Sequence, residues 1–165
     1  MKLKELISKI PKSLKKLFSM ITITLMKWYI DESPLLSKER VSYSELKTKM
    51  SMIIKSKKTY ITDNSCRLMT MSNLTKIMNK SIIKYIPYTP EKFDCDDYAK
   101  VLNGVMGLIC PNNCFGIAWS KTHAFNICML SDHNIYIIEP QTNSIIPFEL
   151  ANKNKQYKNI DVVMI

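Results

Sequence analysis

The chain has 165 residues, of which 46% are hydrophobic and 23% charged, so we expect a globular domain with a sizeable core and exclude disorder and collagen-like or low-complexity architecture. No run of about 18 uncharged apolar residues occurs, which excludes a classical membrane-spanning helix. The formal net charge is +10, but residues 1–58 carry +9 of it and residues 59–165 only +1. We therefore predict a basic N-terminal segment, 1–58, followed by a nearly neutral domain, 59–165.

The N-terminal segment is predicted to be helical. Apolar residues between Leu3 and Trp28 recur at helical spacing with lysines mostly off this stripe, and Pro11 predicts a kink. A basic amphipathic helix binds an acidic partner, an anionic membrane surface or nucleic acid, or packs on its own domain, and the pattern leaves these open. After a break at residues 31–34, a second helix is predicted in which Ser42 or Ser44 caps Glu45 onwards.

The neutral part changes its periodicity along its length. A short strand is predicted near Tyr60 and a helix over 71–80. An extended segment over Tyr85–Pro90 follows, and a further helix begins near Cys95. A period of two then predicts strands over 115–120, 123–130, 135–139 and 145–148, separated by polar turns. Helices followed by a small antiparallel β-sheet are typical of the α+β class.

Five cysteines, an odd number, fit a disulfide framework badly and favour a reducing compartment, cytoplasmic or virion-associated, since no secretory signal is recognisable. The Cys110-x3-Cys114 spacing is half of a zinc site. No second Cys or His pair follows it at ligand spacing, so two packed thiols are the favoured interpretation.

The most informative local pattern is Phe93-Asp-Cys-Asp-Asp-Tyr-Ala99. Asp94 is a natural N-cap, which places Cys95 in the first helical turn. There the partial positive charge of the helix end and its unpaired N–H groups favour a thiolate, and the same N–H groups can bind an oxyanion. Cys95 is therefore a candidate nucleophile.

A nucleophilic cysteine requires a base and an acceptor that orients the base. His123 opens an apolar strand, whereas His133 lies in a polar turn, so His123 is the favoured base. Glu139 ends the next strand, and a hairpin brings the start of one strand beside the end of the other. Each of the three also has a structural interpretation: a buried thiol, a core histidine and a strand-end charge. Their joint order in the chain favours catalysis.

These residues, with His123-Ala-Phe-Asn126 and Ile138-Glu-Pro-Gln141, resemble the papain-like cysteine-protease domain at the C-terminus of the MOA-type fungal agglutinin, which also occurs as stand-alone bacterial and phage proteins. The resemblance covers roughly residues 58–150 and implies a papain-like fold. It implies Cys95 as the nucleophile, His123 as the base and Glu139 as the third member. No carbohydrate-binding repeat accompanies the motifs, so the resemblance does not imply lectin activity.

The resemblance also implies calcium, with Asp97 and Gln141 as ligands. Asp94, Asp96 and Asp97 crowd three carboxylates around Cys95, which a cation would relieve, with Asp96 as a further ligand. Carboxylates are equally common at exposed helix starts without a metal.

The function predicted from the sequence is a cysteine-dependent hydrolase that cleaves a peptide or isopeptide bond through a thioester. One alternative is a non-enzymatic binding or structural module, of a virion or in host interaction, that uses the basic N-terminal helices. The other is a transglutaminase or cell-wall amidase, because acyl transfer to water or to an amine shares one intermediate.

Overall fold

The computed structural model describes residues 35–54 and 58–165, together with Pro11. The residues described from position 35 onwards belong to one compact unit, Pro34–Ile165, and the domain boundary predicted near residue 58 stays a prediction. The amphipathic helix predicted over residues 1–30 lies outside the described residues, and its predicted partners stay predictions. Across the residues that are described, no helix combines the length and apolar character needed to cross a membrane.

Eight strands occur in the described ranges: β1 (Leu36–Ser42), β2 (Lys58–Tyr60), β3 (Ser65–Met69), β4 (Phe115–Trp119), β5 (Ala124–Met129), β6 (Ile135–Glu139), β7 (Ser144–Pro147) and β8 (Val162–Met164). The same ranges contain four short α-helices: α1 (Tyr43–Ile53), α2 (Met71–Lys80), α3 (Cys95–Ile109) and α4 (Phe148–Ala151). A 3₁₀ turn spans Ile83–Tyr85.

The main sheet has six strands in the order β2-β8-β4-β5-β6-β7. Strands β4 to β7 form the antiparallel meander that the sequence predicts, but β8 is inserted beside β4 and pairs in parallel with β2. The predicted arrangement of N-terminal helices followed by a small antiparallel sheet is therefore wrong for the described residues. Strands of three residues are too short to show a period, and the pairing of β2 with β8 joins segments about one hundred residues apart.

Strand β1 is a further difference from the elements that the sequence predicts. It lies where the sequence suggests a break and the approach to a helix, and it pairs antiparallel with β3 in a separate two-stranded sheet. The helix start itself is confirmed: Ser42 is the N-cap of α1, and its side chain accepts a hydrogen bond from the backbone N–H of Glu45. The β1–β3 pairing ties this segment to the rest of the compact unit.

The core lies on both faces of the main sheet, because successive residues of a strand point to opposite faces. One cluster joins α1 to the first face and includes Leu46, Met50, Phe125, Ile127 and Ile137. The other joins α2 and α3 to the opposite face and includes Leu74, Met78, Leu102, Met106 and Ile138. Helix α3 is thereby held against β4 and β5, which fixes the position of its first turn.

Cys66 and Cys114, which are 48 positions apart in the chain, form a disulfide with Cα atoms 5.3 Å apart. Cys114 is therefore not half of a zinc site with Cys110. Of the two packed thiols expected there, Cys110 is buried outside the disulfide, whereas Cys114 is cross-linked to β3. Disulfides persist in oxidising compartments, which is the opposite of the reducing compartment favoured by the cysteine count. The compartment itself stays a prediction.

Candidate functional site at the start of helix α3

Helix α3 begins with a capping box. The side chain of Asp94 accepts from the backbone N–H of Asp96 at 3.3 Å, and the side chain of Asp97 accepts from the backbone N–H of Asp94 at 3.3 Å. Asp94 is therefore the N-cap, and α3 begins at Cys95, as predicted. Cys95 is half-buried in the first turn, and the capping box does not engage its own backbone N–H.

Cys95 packs against a small cluster at one end of the β4–β5 hairpin. The cluster contains Ala99 of α3, Ile117 of β4 and Ala124 of β5, with Cys95 and Trp119 packed on it. Trp119 and Ala124 are register partners in the last pair of the hairpin. Since His123 directly precedes Ala124, the thiol of Cys95 and the imidazole of His123 are carried at the same end of the hairpin.

The turn that carries His123 is held by one serine. The backbone N–H of Ser120 donates to the carbonyl of His123 at 2.9 Å, and the hydroxyl of Ser120 accepts from the backbone N–H of His123 at 3.2 Å. The same hydroxyl donates to the carbonyl of Gln156 at 2.7 Å. The backbone of His123 is therefore fixed from within the turn and from the C-terminal segment.

His123 and Glu139 form a buried pair. Nε2 of His123 lies 2.6 Å from Oε2 of Glu139, with side chains 9% and 7% exposed. The β5–β6 register, in which Asn126 pairs with Ile138, places Phe125 opposite Glu139, so His123 and Glu139 share a face of the sheet. In the described part of the chain no hydrogen bond reaches Nδ1 of His123. That nitrogen is available to a group beyond the pair.

The carboxylate of Glu139 has two further donors. The hydroxyl of Tyr157 donates to Oε2 at 3.0 Å, and the backbone N–H of Gln141 donates to Oε1 at 3.2 Å. Burial, followed by the charge of Glu139, raises the pKa of Tyr157, which keeps its hydroxyl protonated as a donor. The Tyr157 ring packs edge-on against Phe125, with centroids 5.1 Å apart, and tilted against His123 at 5.8 Å.

Sequence reasoning missed Tyr157. It lies among asparagines and lysines between α4 and β8, where no apolar period predicts burial, yet only 6% of its surface is exposed. The one available signal is an isolated aromatic residue in a polar segment, and that signal is weak.

The second histidine lies elsewhere. His133 occupies the β5–β6 turn at a φ of 58°, and its side chain is 35% exposed. It bridges two carboxylates: Nε2 is 2.8 Å from Glu39 and Nδ1 is 3.0 Å from Glu45. Both ring nitrogens of His133 are therefore engaged by carboxylates of β1 and α1, and the choice of His123 as the base stays a prediction.

The acidic cluster predicted to bind calcium is present at the helix start. Asp94, Asp96 and Asp97 each place one carboxylate oxygen within 4.8 Å of the others. Two of them form the capping box, and Asp96 makes an ion pair with Lys100. Hydrogen bonds from Asp94 and then Lys100 lower the pKa of Asp96, so its negative charge is compensated within the chain. Oxygen donors suit calcium chemically. Capping and ion pairing nevertheless account for the cluster by themselves, so calcium at Asp96, Asp97 and Gln141 stays a prediction.

Aromatic side chains border the site. Tyr88 is 54% exposed and stacks on Tyr98 of α3, with ring centroids 6.5 Å apart and an interplanar angle of 16°. Trp119 is half-buried on the cluster that supports Cys95. A ligand held at the thiol therefore has aromatic surface within reach.

Comparison with known proteins gives fold similarity only. No family model matches the chain, and no curated protein matches it. Solved structures do match. One is described as a "PSL1a-E64 complex", with a TM-score of 0.62 and 18% identity over 76% of this chain and 51% of that chain. Another is the Polyporus squamosus lectin bound to the human-type influenza-binding epitope Neu5Aca2-6Galb1-4GlcNAc, with a TM-score of 0.61 and 18% identity over 76% of this chain and 49% of that chain.

These comparisons correct the classification made from the sequence. The structures that match are described as a lectin and as PSL1a, neither is described as a papain-like cysteine protease, and no family model supports that family. The papain-like family and fold assignment, the peptidase activity and the peptide substrate are therefore withdrawn. The chain spans about half the length of each matched structure, and at 18% identity the shared property is the fold.

Proposed function

We propose that the chain is a ligand-binding module that holds its ligand at a thiol centre formed by Cys95, His123 and Glu139. The observation that carries the proposal is the buried 2.6 Å pair of His123 and Glu139 at the hairpin end on which Cys95 packs. In this arrangement Cys95 is the nucleophile, and Nδ1 of His123 accepts its proton. Glu139 fixes the ring through Nε2 and stabilises the imidazolium that forms.

The chemistry of such a centre selects an electrophilic ligand. A thiolate attacks an electrophilic carbon, such as that of a carbonyl or an epoxide, and the backbone N–H of Cys95 can donate a hydrogen bond to the oxygen on which negative charge develops. With an epoxide, the Sγ–C bond forms, the C–O bond breaks, and the oxygen takes the proton from His123. PSL1a is described in complex with E64, an epoxide, so we propose E64 as a probe ligand for this chain.

Mass spectrometry of the intact protein, followed by peptide mapping, tests the proposal. After incubation with E64 we expect one adduct per chain, on Cys95, and none in Cys95→Ser. Cys128 is the matched control within the wild-type chain, because it is buried and burial raises its pKa. An adduct on Cys128, or an adduct on Cys95 that forms equally fast in His123→Asn, would contradict the thiol centre.

A second experiment separates holding a ligand from turning it over. With an activated ester, a binding module releases one equivalent of leaving group per chain and then stops, because the acyl group stays on Cys95. Sustained release that depends on Cys95 would contradict a purely binding role while leaving the thiol centre intact.

A glycan is the second candidate ligand. It is favoured by the lectin of similar fold, which is described with a sialylated epitope, and by the exposed ring of Tyr88 beside the site. Titration of that trisaccharide by calorimetry tests it. Binding that is weakened in Tyr88→Ala and unaffected in Cys95→Ser would support this candidate, and no heat of binding in the wild type would eliminate it.

A further inference from the structure

The Glu139 carboxylate has three hydrogen-bond partners in the candidate site. Its Oε2 atom lies within 3.0 Å of two groups at once, Nε2 of His123 and the hydroxyl of Tyr157. A buried carboxylate with two partners on one oxygen is held in a single orientation, since rotating it would leave a buried donor unpaired.

The segment that carries Tyr157 supports the other half of the pair as well. The carbonyl of Gln156, the preceding residue, accepts from Ser120, whose hydroxyl also accepts from the backbone N–H of His123. Gln156 thus contacts the turn that carries His123. The next residue, Tyr157, contacts the carboxylate of Glu139, which orients the His123 ring. Neither contact comes from the strands that carry the pair.

We propose that Tyr157 is a positioning residue for the thiol centre: its hydroxyl fixes the Glu139 carboxylate so that Nδ1 of His123 is directed away from the pair and towards Cys95. The inference rests on the proposed function, because it assigns Tyr157 a role in that same site. The hydroxyl of Tyr157 acts on His123 through Glu139.

Tyr157→Phe tests this, and Tyr136→Phe is the matched control. Tyr136 is also buried and also donates its hydroxyl to a carboxylate, that of Asp132 at 2.6 Å, but at the β5–β6 turn away from the site. In Tyr157→Phe we expect the maximal rate of E64 addition to Cys95 to fall roughly 10-fold, while the half-saturating E64 concentration stays unchanged. The downfield proton resonance of the His123 ring N–H should shift, because Oε2 loses its second donor. Tyr136→Phe should change neither quantity.

The inference is overturned if Tyr157→Phe matches the wild type in both rate and resonance, or if Tyr136→Phe shows the same changes. If Tyr157→Phe does not fold, the wild-type spectrum decides. A nuclear Overhauser contact between the Tyr157 hydroxyl proton and the His123 ring supports the inference, and its absence contradicts it. If the wild-type protein forms no adduct on Cys95, the proposed function is wrong. The change of the His123 ring N–H resonance in Tyr157→Phe then still tests whether Tyr157 positions Glu139.

Discussion

The chain places its two histidines in opposite environments although both pair with glutamate. His123 and Glu139 are less than one-tenth exposed, and Glu139 also accepts from a tyrosine hydroxyl and a backbone N–H. His133 lies on the surface between Glu39 and Glu45, with side chains 35 to 46% exposed. The same two side-chain types therefore make a fixed pair in one region and a solvent-screened bridge in the other.

The difference shows that burial, and not the partner, decides what a histidine–carboxylate pair can do. In the low dielectric of the interior the two members of a pair attract each other strongly, and removing one leaves the other as an uncompensated buried group. Water and salt weaken an exposed pair. A site that moves protons requires the first kind. Matched substitutions in the two regions test this difference.

The largest expected difference is in stability. Glu139→Ala should lower the free energy of unfolding by about 3 kcal/mol, because it leaves the buried donors of His123 and Tyr157 without an acceptor. Glu39→Ala should lower it by less than about 1 kcal/mol, since its pair is exposed. Urea unfolding of both variants measures this, and equal midpoints would show that burial does not distinguish the two pairs.

Thiol reactivity should depend on one histidine only. His123→Asn should slow alkylation of Cys95 by about 100-fold, since it removes the group that accepts the thiol proton. His133→Asn should leave the rate unchanged. The rates are measured with iodoacetamide under identical conditions, with Cys95→Ser as the background. A similar loss in both variants would indicate a general structural effect.

The smallest expected effect is the pH dependence of the surface bridge. The hydrogen bond to Glu39, followed by that to Glu45, raises the pKa of His133. The stabilisation from protonated His133 is therefore complete below the pKa of histidine in the unfolded chain, about 6.5. It is lost as the pH rises through the higher pKa of the folded state. Asparagine tolerates the left-handed backbone at this position, so His133→Asn removes the imidazole without straining the turn.

Wild type should exceed His133→Asn in unfolding free energy by less than about 1 kcal/mol at pH 5 and by close to nothing at pH 9. The difference at low pH should shrink in high salt. A difference that grows with pH would contradict the assignment of the bridge to charged His133.

Local elements of the fold could be predicted from the sequence wherever a period or a cap was present. Helix α2, the N-caps Ser42 and Asp94 and the four meander strands follow directly from side-chain spacing and capping chemistry. Strand β1, strand β8 and the parallel pairing of β8 with β2 could not be predicted, because they depend on tertiary contacts between short segments.

The same limit applies to the site. Cys95, His123 and Glu139 were singled out from a helix start and a hairpin, which are local features. Tyr157 and the cross-link of Cys66 to Cys114 depend on where distant segments meet, and the sequence around them carries no period that indicates it. The functional class illustrates a further limit, since a motif shows which chemistry is available and does not show which ligand is used.

The most direct test of the thiol centre is a crystal structure of the chain after reaction with E64. We predict a covalent bond from Sγ of Cys95 to the ligand, Nδ1 of His123 within about 4 Å of that sulfur, and the His123–Glu139–Tyr157 contacts unchanged. A structure with the ligand attached elsewhere, or with His123 turned away from Cys95, would contradict the account.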